Sequence, residues 1–117
     1  MLPVEQRLRT KAQLKEWLAH ERKKYGKFSK LKYWLRYYER AELYRHNVLL
    51  RKSEYYYNNH RKIMAALYLY RLKRLQNKYA LHIPINTCGK GLYVMHIGPV
   101  LINRNSVVGE DCFSLAE

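Results

Sequence analysis

The distribution of proline and glycine divides the chain near residue 80. No proline occurs between Pro3 and Pro84, and Gly26 is the only glycine before Gly89. Because proline interrupts helices and glycine weakens them, a long stretch nearly free of both is typical of helical structure. Four glycines and two prolines follow residue 80, which is typical of strands and turns. We therefore predict two regions, a helical one over residues 1–80 and a different one over residues 81–117.

The charge changes at the same place. Residues 1–80 contain 21 Lys and Arg against 6 Asp and Glu, whereas residues 81–117 contain 2 against 3. A basic helical region of this kind favours nucleic acid or another anionic partner, and Tyr55, Tyr56 and Tyr57 are candidates for stacking on bases. The same composition also fits solvated helix faces with tyrosines packed in a small core. No helix-turn-helix, zinc-finger or RNA-recognition motif occurs in the sequence.

Apolar periodicity predicts the helices of the basic region. Three helices are expected: one over residues 10–25, a second that begins after a cap at Ser29, and a third over residues 39–50. The strongest pattern covers residues 59–79, where five side chains fall within an arc of about 80° at helical spacing: Met64, Tyr68, Leu72, Leu75 and Tyr79. Three histidines of this region are expected to face solvent: His20, His46 and His60.

Several classes of protein are excluded by the sequence. The longest apolar run, residues 63–70, is far shorter than the ~18 residues that a membrane span needs. The charged start of the chain does not resemble a secretory signal peptide. Cys88 and Cys112 are too few for a disulfide framework, and their spacing fits no zinc site. We predict a cytoplasmic protein with buried free thiols, no membrane span and no metal.

Residues 83–117 show a six-residue period. Every sixth residue is small and none is strongly polar: Cys88, Val94, Val100, Ser106 and Cys112. Such hexapeptide repeats build a left-handed parallel β-helix. The predicted fold class is therefore α+β, a helical region followed by the first coils of a left-handed β-helix that is incomplete at Glu117. The alternative is two ordinary strands, residues 92–96 and 99–102, joined by a turn at Gly98 and Pro99.

One stretch of the repeat carries a resemblance. Residues 89–98 read GKGLYVMHIG, and this stretch, with the hexapeptides that follow it, resembles the bacterial serine O-acetyltransferases and related hexapeptide-repeat acyltransferases. The upstream helical residues also resemble a subgroup that often accompanies surface-polysaccharide genes. Together the similarity covers roughly residues 10–112.

The resemblance implies an activity and a catalytic residue. His96 would act as the general base for transfer of an acetyl group from acetyl-CoA to a hydroxyl of serine, a sugar or another small molecule, because a neutral imidazole titrates near operating pH. Backbone N–H groups near Gly98 are candidate donors to the oxyanion. The family also implies a homotrimer with active sites between subunits.

The chain departs from the family at three points. Leu81 and Met95 stand where acidic residues are expected near the catalytic histidine, which leaves the acceptor open. A second catalytic histidine and the later coils that line the acetyl-CoA groove would follow residue 117. We therefore expect this chain to be an inactive or partial acetyltransferase fragment. The alternative function is that of a small basic helical protein that binds nucleic acid or another anionic partner.

Overall fold

A computed structural model describes residues 2–25, 39–94, 100–102 and 113–114. A short 3-10 helix at Val4–Gln6 is followed by three α-helices: α1 (Lys11–Lys24), α2 (Glu39–Asn58) and α3 (Lys62–Tyr79). The helix predicted to begin at Ser29 lies outside the described residues. Four two-residue strands come after α3: β1 (Leu81–His82), β2 (Tyr93–Val94), β3 (Val100–Leu101) and β4 (Phe113–Ser114).

The strands form two separate parallel pairs. β1 pairs with β3, with Leu81 opposite Val100, and β2 pairs with β4, with Tyr93 opposite Phe113. Directly after β3, the Ile102 amide donates to the His82 carbonyl at 2.8 Å. In the described residues β2 and β3 belong to different sheets, so the alternative of a hairpin that turns at Gly98 and Pro99 is not the pairing of these strands.

Helix α1 agrees with the sequence prediction and begins with a capping box. The Thr10 hydroxyl accepts from the Gln13 amide, and the Gln13 side chain accepts from the Thr10 amide, both at 3.1 Å. This reciprocal pair satisfies two of the amides that a helix start leaves without an intrahelical partner. Three basic residues occupy the last turn, where positive charge interacts favourably with the helix dipole. The capping box and the basic last turn stabilise the helix that apolar spacing predicted over residues 10–25.

Helices α2 and α3 form a helical hairpin. Only residues 59–61 connect them, and such a short connection favours helices that pack side by side. His60 takes a left-handed conformation with φ 58° in this turn, and Ala80 does the same with φ 57° after α3. The predicted α3 is confirmed over most of its length. α2 was expected to end near Leu50 but continues to Asn58, so Tyr55, Tyr56 and Tyr57 lie within it.

One apolar core joins the helices to the segment that follows α3. Its buried members come from both parts of the chain: Tyr25, Leu43, Leu49, Leu50, Leu72, Leu75, Leu81, Ile83, Cys88 and Leu92. Cys88 is buried, as predicted, whereas Cys112 lies outside the described residues. The segment after α3 therefore obtains its hydrophobic burial from the helices.

The prediction of an α+β fold with β-helix coils is wrong. The described residues are mostly helical, their strands are only two residues long, and these strands make isolated pairs. Repeat coils are stabilised by stacking on one another. Here Cys88, the first residue of the six-residue column, packs on the helices instead. A small residue at every sixth position indicates burial, and Cys88 is buried in the core that the helices form.

Candidate functional site

A fully buried ion cluster lies between α1 and α2. The Arg51 guanidinium on α2 contacts Glu21 of α1 at 2.8 Å and Glu54 of its own helix at 2.8 Å. All three side chains are at most 1% exposed. Two buried carboxylates and one buried guanidinium leave a net negative charge, so the cluster requires further donors.

The segment after α3 is tied to this cluster through Arg51. Arg51 Nη1 donates to the Cys88 carbonyl at 3.0 Å, and Nη2 donates to the Gly89 carbonyl at 2.7 Å. The Trp17 ring of α1 lies beneath the guanidinium, 4.8 Å from Cζ to the ring centre. Arg51 thus uses its planar set of donors to join two helices and a loop in one arrangement.

Asn47 and Glu21 hold the next residues of the same loop. Asn47 Nδ2 donates both to Glu21 Oε1 and to the Leu92 carbonyl, each at 2.9 Å. The Gly91 amide donates to Glu21 Oε2 at 3.1 Å. We call Glu21, Asn47 and Arg51 the polar clamp, because together they bind backbone groups of four of the five residues in the segment 88–92.

A second set of contacts fixes the turn just before this segment. The Asn86 amide donates to Glu54 Oε2 at 2.8 Å. The side-chain amides of Asn58 and Asn86 donate to each other at 2.9 Å. Asn86 has φ 57°, a left-handed conformation that Asn adopts more readily than most residues. The turn therefore sits on the end of α2 in a single hydrogen-bonded orientation.

The electrostatics keep Arg51 charged. Burial by itself would lower the pKa of the Arg51 guanidinium, but Glu54 and Glu21 outweigh it, so this pKa is raised above its ordinary value. Burial raises the pKa of Glu54, and the nearby Arg51 partly offsets that rise. Within the described residues no buried side-chain nitrogen or oxygen lacks a hydrogen-bond partner. A buried polar network satisfied in this way specifies one arrangement of its members.

His46 extends the network toward α3. Gln76 Nε2 lies 3.1 Å from His46 Nε2 and also donates to the Ile83 carbonyl at 2.9 Å. An amide nitrogen only donates, so His46 Nε2 accepts and the proton is on Nδ1, 3.4 Å from Asn47 Oδ1. Burial lowers the pKa of His46 to about 4. The expectation that His46 faces solvent is wrong, because it is a neutral buried link between α2 and α3.

The structure describes only some of the residues singled out from the sequence, and it also places two polar residues of the same segment, His82 and Lys90. His96, the predicted general base, and Met95 lie outside the described residues. Leu81 is buried in β1, within the core. His82 is exposed. Lys90 Nζ lies 2.8 Å from Glu16 Oε1, and this hydrogen bond lowers the pKa of Glu16.

The tyrosines proposed to stack on bases differ in their surroundings. The Tyr56 ring stacks on Tyr68 of α3 with centroids 5.3 Å apart and meets Tyr55 edge-on at 5.1 Å. Tyr57 is 52% exposed. Tyr56 therefore contributes to packing between α2 and α3, and Tyr57 is the most exposed of the three.

Sequence reasoning missed the polar clamp. Glu21 and Arg51 are far apart along the chain. Nothing in the sequence distinguishes a buried Arg from the many solvated Arg residues of this basic region. One local signal was present, because Arg51 and Glu54 have the spacing of a helical ion pair. Asn47 lies one turn before Arg51 on the same helix face, which was a second, weaker signal.

Comparison of the chain with models of known protein families, with curated proteins and with solved structures finds no match. In the described ranges, no helix combines the length and apolar character needed to cross a membrane. In the same ranges, no three His, Cys, Asp or Glu side chains come together as metal ligands. The chemistry of the chain therefore has to be argued from its own residues.

Proposed function

We propose that this chain carries the histidine-bearing part of an acetyl-CoA-dependent O-acetyltransferase, with His96 as general base. The observation that carries the proposal is the polar clamp on residues 88–92. This segment includes the first residues of the stretch 89–98, which resembles acetyltransferases and contains His96. The segment ends four residues before that histidine.

The clamp supports the proposal because catalysis depends on exact placement of the base. A displacement of about 1 Å costs as much as ~100-fold in rate, so a catalytic histidine needs rigid support. Arg51, Asn47 and Glu21 bind the backbone of Cys88, Gly89, Gly91 and Leu92, and backbone contacts restrain position regardless of side-chain rotamer. The proposal draws on His96 and this support, and it concerns this chain as one part of the complete enzyme.

The reaction balances without a further co-reactant. His96 accepts the proton of the acceptor hydroxyl as its oxygen bonds to the thioester carbonyl carbon. The carbon–sulfur bond then breaks, and the CoA thiolate leaves and takes the proton from the imidazolium. The products are an acetyl ester and free CoA. General-base catalysis of this kind contributes about 10²–10⁴-fold to the rate.

The remaining parts of the proposal follow from the resemblance. The donor is acetyl-CoA, the acceptor is a small molecule with a hydroxyl, such as serine or a sugar, and the complete enzyme is a homotrimer. A cytoplasmic location is proposed as well, because two cysteines are too few for the disulfide framework of a small secreted domain.

The test is release of CoA thiol by the protein as its native gene expresses it. The protein is mixed with acetyl-CoA and a panel of serine and sugar acceptors, and the acetylated product is identified by mass spectrometry. His96→Ala should lower the rate at least about 100-fold. His82→Ala is the matched control, because His82 is exposed, and it should retain the wild-type rate.

Two results would reject the proposal. One is thiol release by the His96→Ala protein at the rate of the wild type. The other is absence of acetyl transfer from the natively expressed protein to every acceptor of the panel.

A further inference from the structure

A basic groove runs between α2 and α3 on the surface of the helical hairpin. It encloses about 360 Å³, within the usual size range of small-molecule sites. Leu49 and Leu75 contribute apolar surface to its lining. Its polar lining consists of five cations and one aromatic ring: Arg45, Lys52, Tyr68, Arg71, Arg74 and Lys78. We call this surface the basic groove.

The cations line the groove because of helical spacing. On α3, Arg71, Arg74 and Lys78 recur at intervals of three and four residues, which places them along one face. On α2, Arg45 and Lys52 are separated by two turns. Seven residues of helix span about 10 Å. The groove therefore concentrates its positive charge within a length of about 10 Å.

Most of this charge has no ion-pair partner in the part of the chain that the structure describes. Arg45 pairs with Glu42 at 3.1 Å, and the Tyr79 hydroxyl donates to the same carboxylate at 3.0 Å. In the described part of the chain, no carboxylate forms an ion pair with the other four cations. The sequence contains no Asp or Glu between residues 55 and 109. Like charges gathered around one cavity repel each other, and a bound anion would relieve that repulsion.

The ring in the groove is already in contact with protein groups. Tyr56 stacks on Tyr68 at 5.3 Å. Lys52 Nζ and Arg71 Cζ lie 5.7 and 5.8 Å from the centre of the same ring. Tyr68 therefore orients cations and is poorly placed to stack on a base. This arrangement favours recognition of phosphate oxygens over recognition of nucleobases.

The shape of the charged surface points to a compact ligand. One strand of duplex DNA presents a phosphate about every 3.4 Å along the axis, so a 10 Å groove would meet only about three of them. The other exposed lysines of α3, Lys62 and Lys73, border separate depressions and do not lengthen the groove. Within the part of the chain that the structure describes, the charge is therefore a confined cluster and not a long stripe.

We propose that the basic groove binds a chain of linked phosphates, as found in a nucleoside triphosphate, in coenzyme A or in inorganic polyphosphate. Arg guanidinium groups suit this role because they donate two parallel hydrogen bonds to phosphate oxygens. The proposal is independent of the acetyl-transfer proposal, since it uses no residue of the clamp and does not involve His96.

The test is isothermal titration of the full chain with sodium tripolyphosphate at low and at physiological ionic strength. Arg71→Gln/Arg74→Gln should weaken binding at least about tenfold, since each lost charge-assisted hydrogen bond is substantial. Lys62→Gln/Lys73→Gln removes the same charge from the same helix outside the groove. At physiological ionic strength this control should weaken binding less than about threefold, because Lys62 and Lys73 border other depressions and salt screens exposed charges that do not contact the ligand.

Further titrations identify the source of the phosphates. ATP, coenzyme A and a single-stranded oligonucleotide replace tripolyphosphate in turn. Binding of ATP or coenzyme A more tightly than tripolyphosphate would identify the class of the natural ligand. Three results would overturn the proposal: no binding of any compact phosphate at low ionic strength, equal losses in the two double variants, or binding of the oligonucleotide alone. The last result would favour nucleic acid as the partner.

Discussion

Replacing Arg51 with Met should destabilise the protein severely. The substitution leaves the carboxylates of Glu21 and Glu54 buried without a cation, and it removes the donors to the Cys88 and Gly89 carbonyls. Removing one partner of a buried ion pair costs about 3–5 kcal/mol, and each unsatisfied buried carbonyl adds ~1–3 kcal/mol. Water entry relieves part of this, so we expect a loss of at least about 4 kcal/mol, comparable with the whole stability of a small domain.

The assay is urea unfolding followed by circular dichroism and by fluorescence, since Trp17 packs directly on the guanidinium. Lys52→Met is the matched control, because Lys52 neighbours Arg51 on α2, is only half-buried and has no ion pair in the described part of the chain. It should change the free energy of unfolding by less than about 1 kcal/mol.

A third variant keeps the reasoning testable if Arg51→Met does not fold. Arg51→Met combined with Glu21→Gln and Glu54→Gln removes the uncompensated charges and should recover at least about 2 kcal/mol. If the single variant loses less than about 1 kcal/mol of unfolding free energy, Arg51, Glu21 and Glu54 do not form the buried, fully paired cluster described above. The absence of any recovery in the triple variant would refute the electrostatic explanation of the loss.

Two further predictions concern His46 and the end of α3. Burial lowers the pKa of His46 to about 4, so the unfolded chain binds the proton first. The free energy of unfolding should therefore fall by about 3 kcal/mol as pH drops from about 6.5 to 4. Urea unfolding at several pH values should show that this pH dependence is lost in His46→Gln and kept in His82→Gln. Ala80→Gly should raise the melting temperature, because Ala80 has φ 57° and glycine avoids a strain of about 1 kcal/mol. Ala66→Gly, inside α3 and exposed, should lower it by a similar amount, and a decrease in both variants would contradict the reasoning.

Local signals predicted much of the helical part. The apolar spacing that predicted helices over residues 10–25 and 59–79 depends only on near neighbours, and the structure agrees with both. The end of α2 was misplaced because Tyr55, Tyr56 and Tyr57 have no clear periodicity of their own. Of the three, Tyr56 stacks on Tyr68 of α3, a contact that a local pattern does not contain.

The sequence was misleading where burial came from an unexpected source. The six-residue column correctly marked Cys88 as buried, but the pattern does not say what buries it. Helices α2 and α3 do so, and the inferred coils were wrong. The clamp was not predicted for a related reason. Its three side chains are polar residues in a basic region, and only the fold shows that Glu21 and Arg51 meet in the interior.

Amide hydrogen exchange at Gly91 tests most directly whether the helices hold the segment that precedes His96. The Gly91 amide donates to Glu21 Oε2 within the clamp, so its exchange requires the clamp to open. We predict that Gly91, measured by NMR, exchanges as slowly as the amides in the middle of α2 and α3. Exchange of Gly91 at the rate of an unstructured amide, while those helices remain protected, would contradict this view of the molecule.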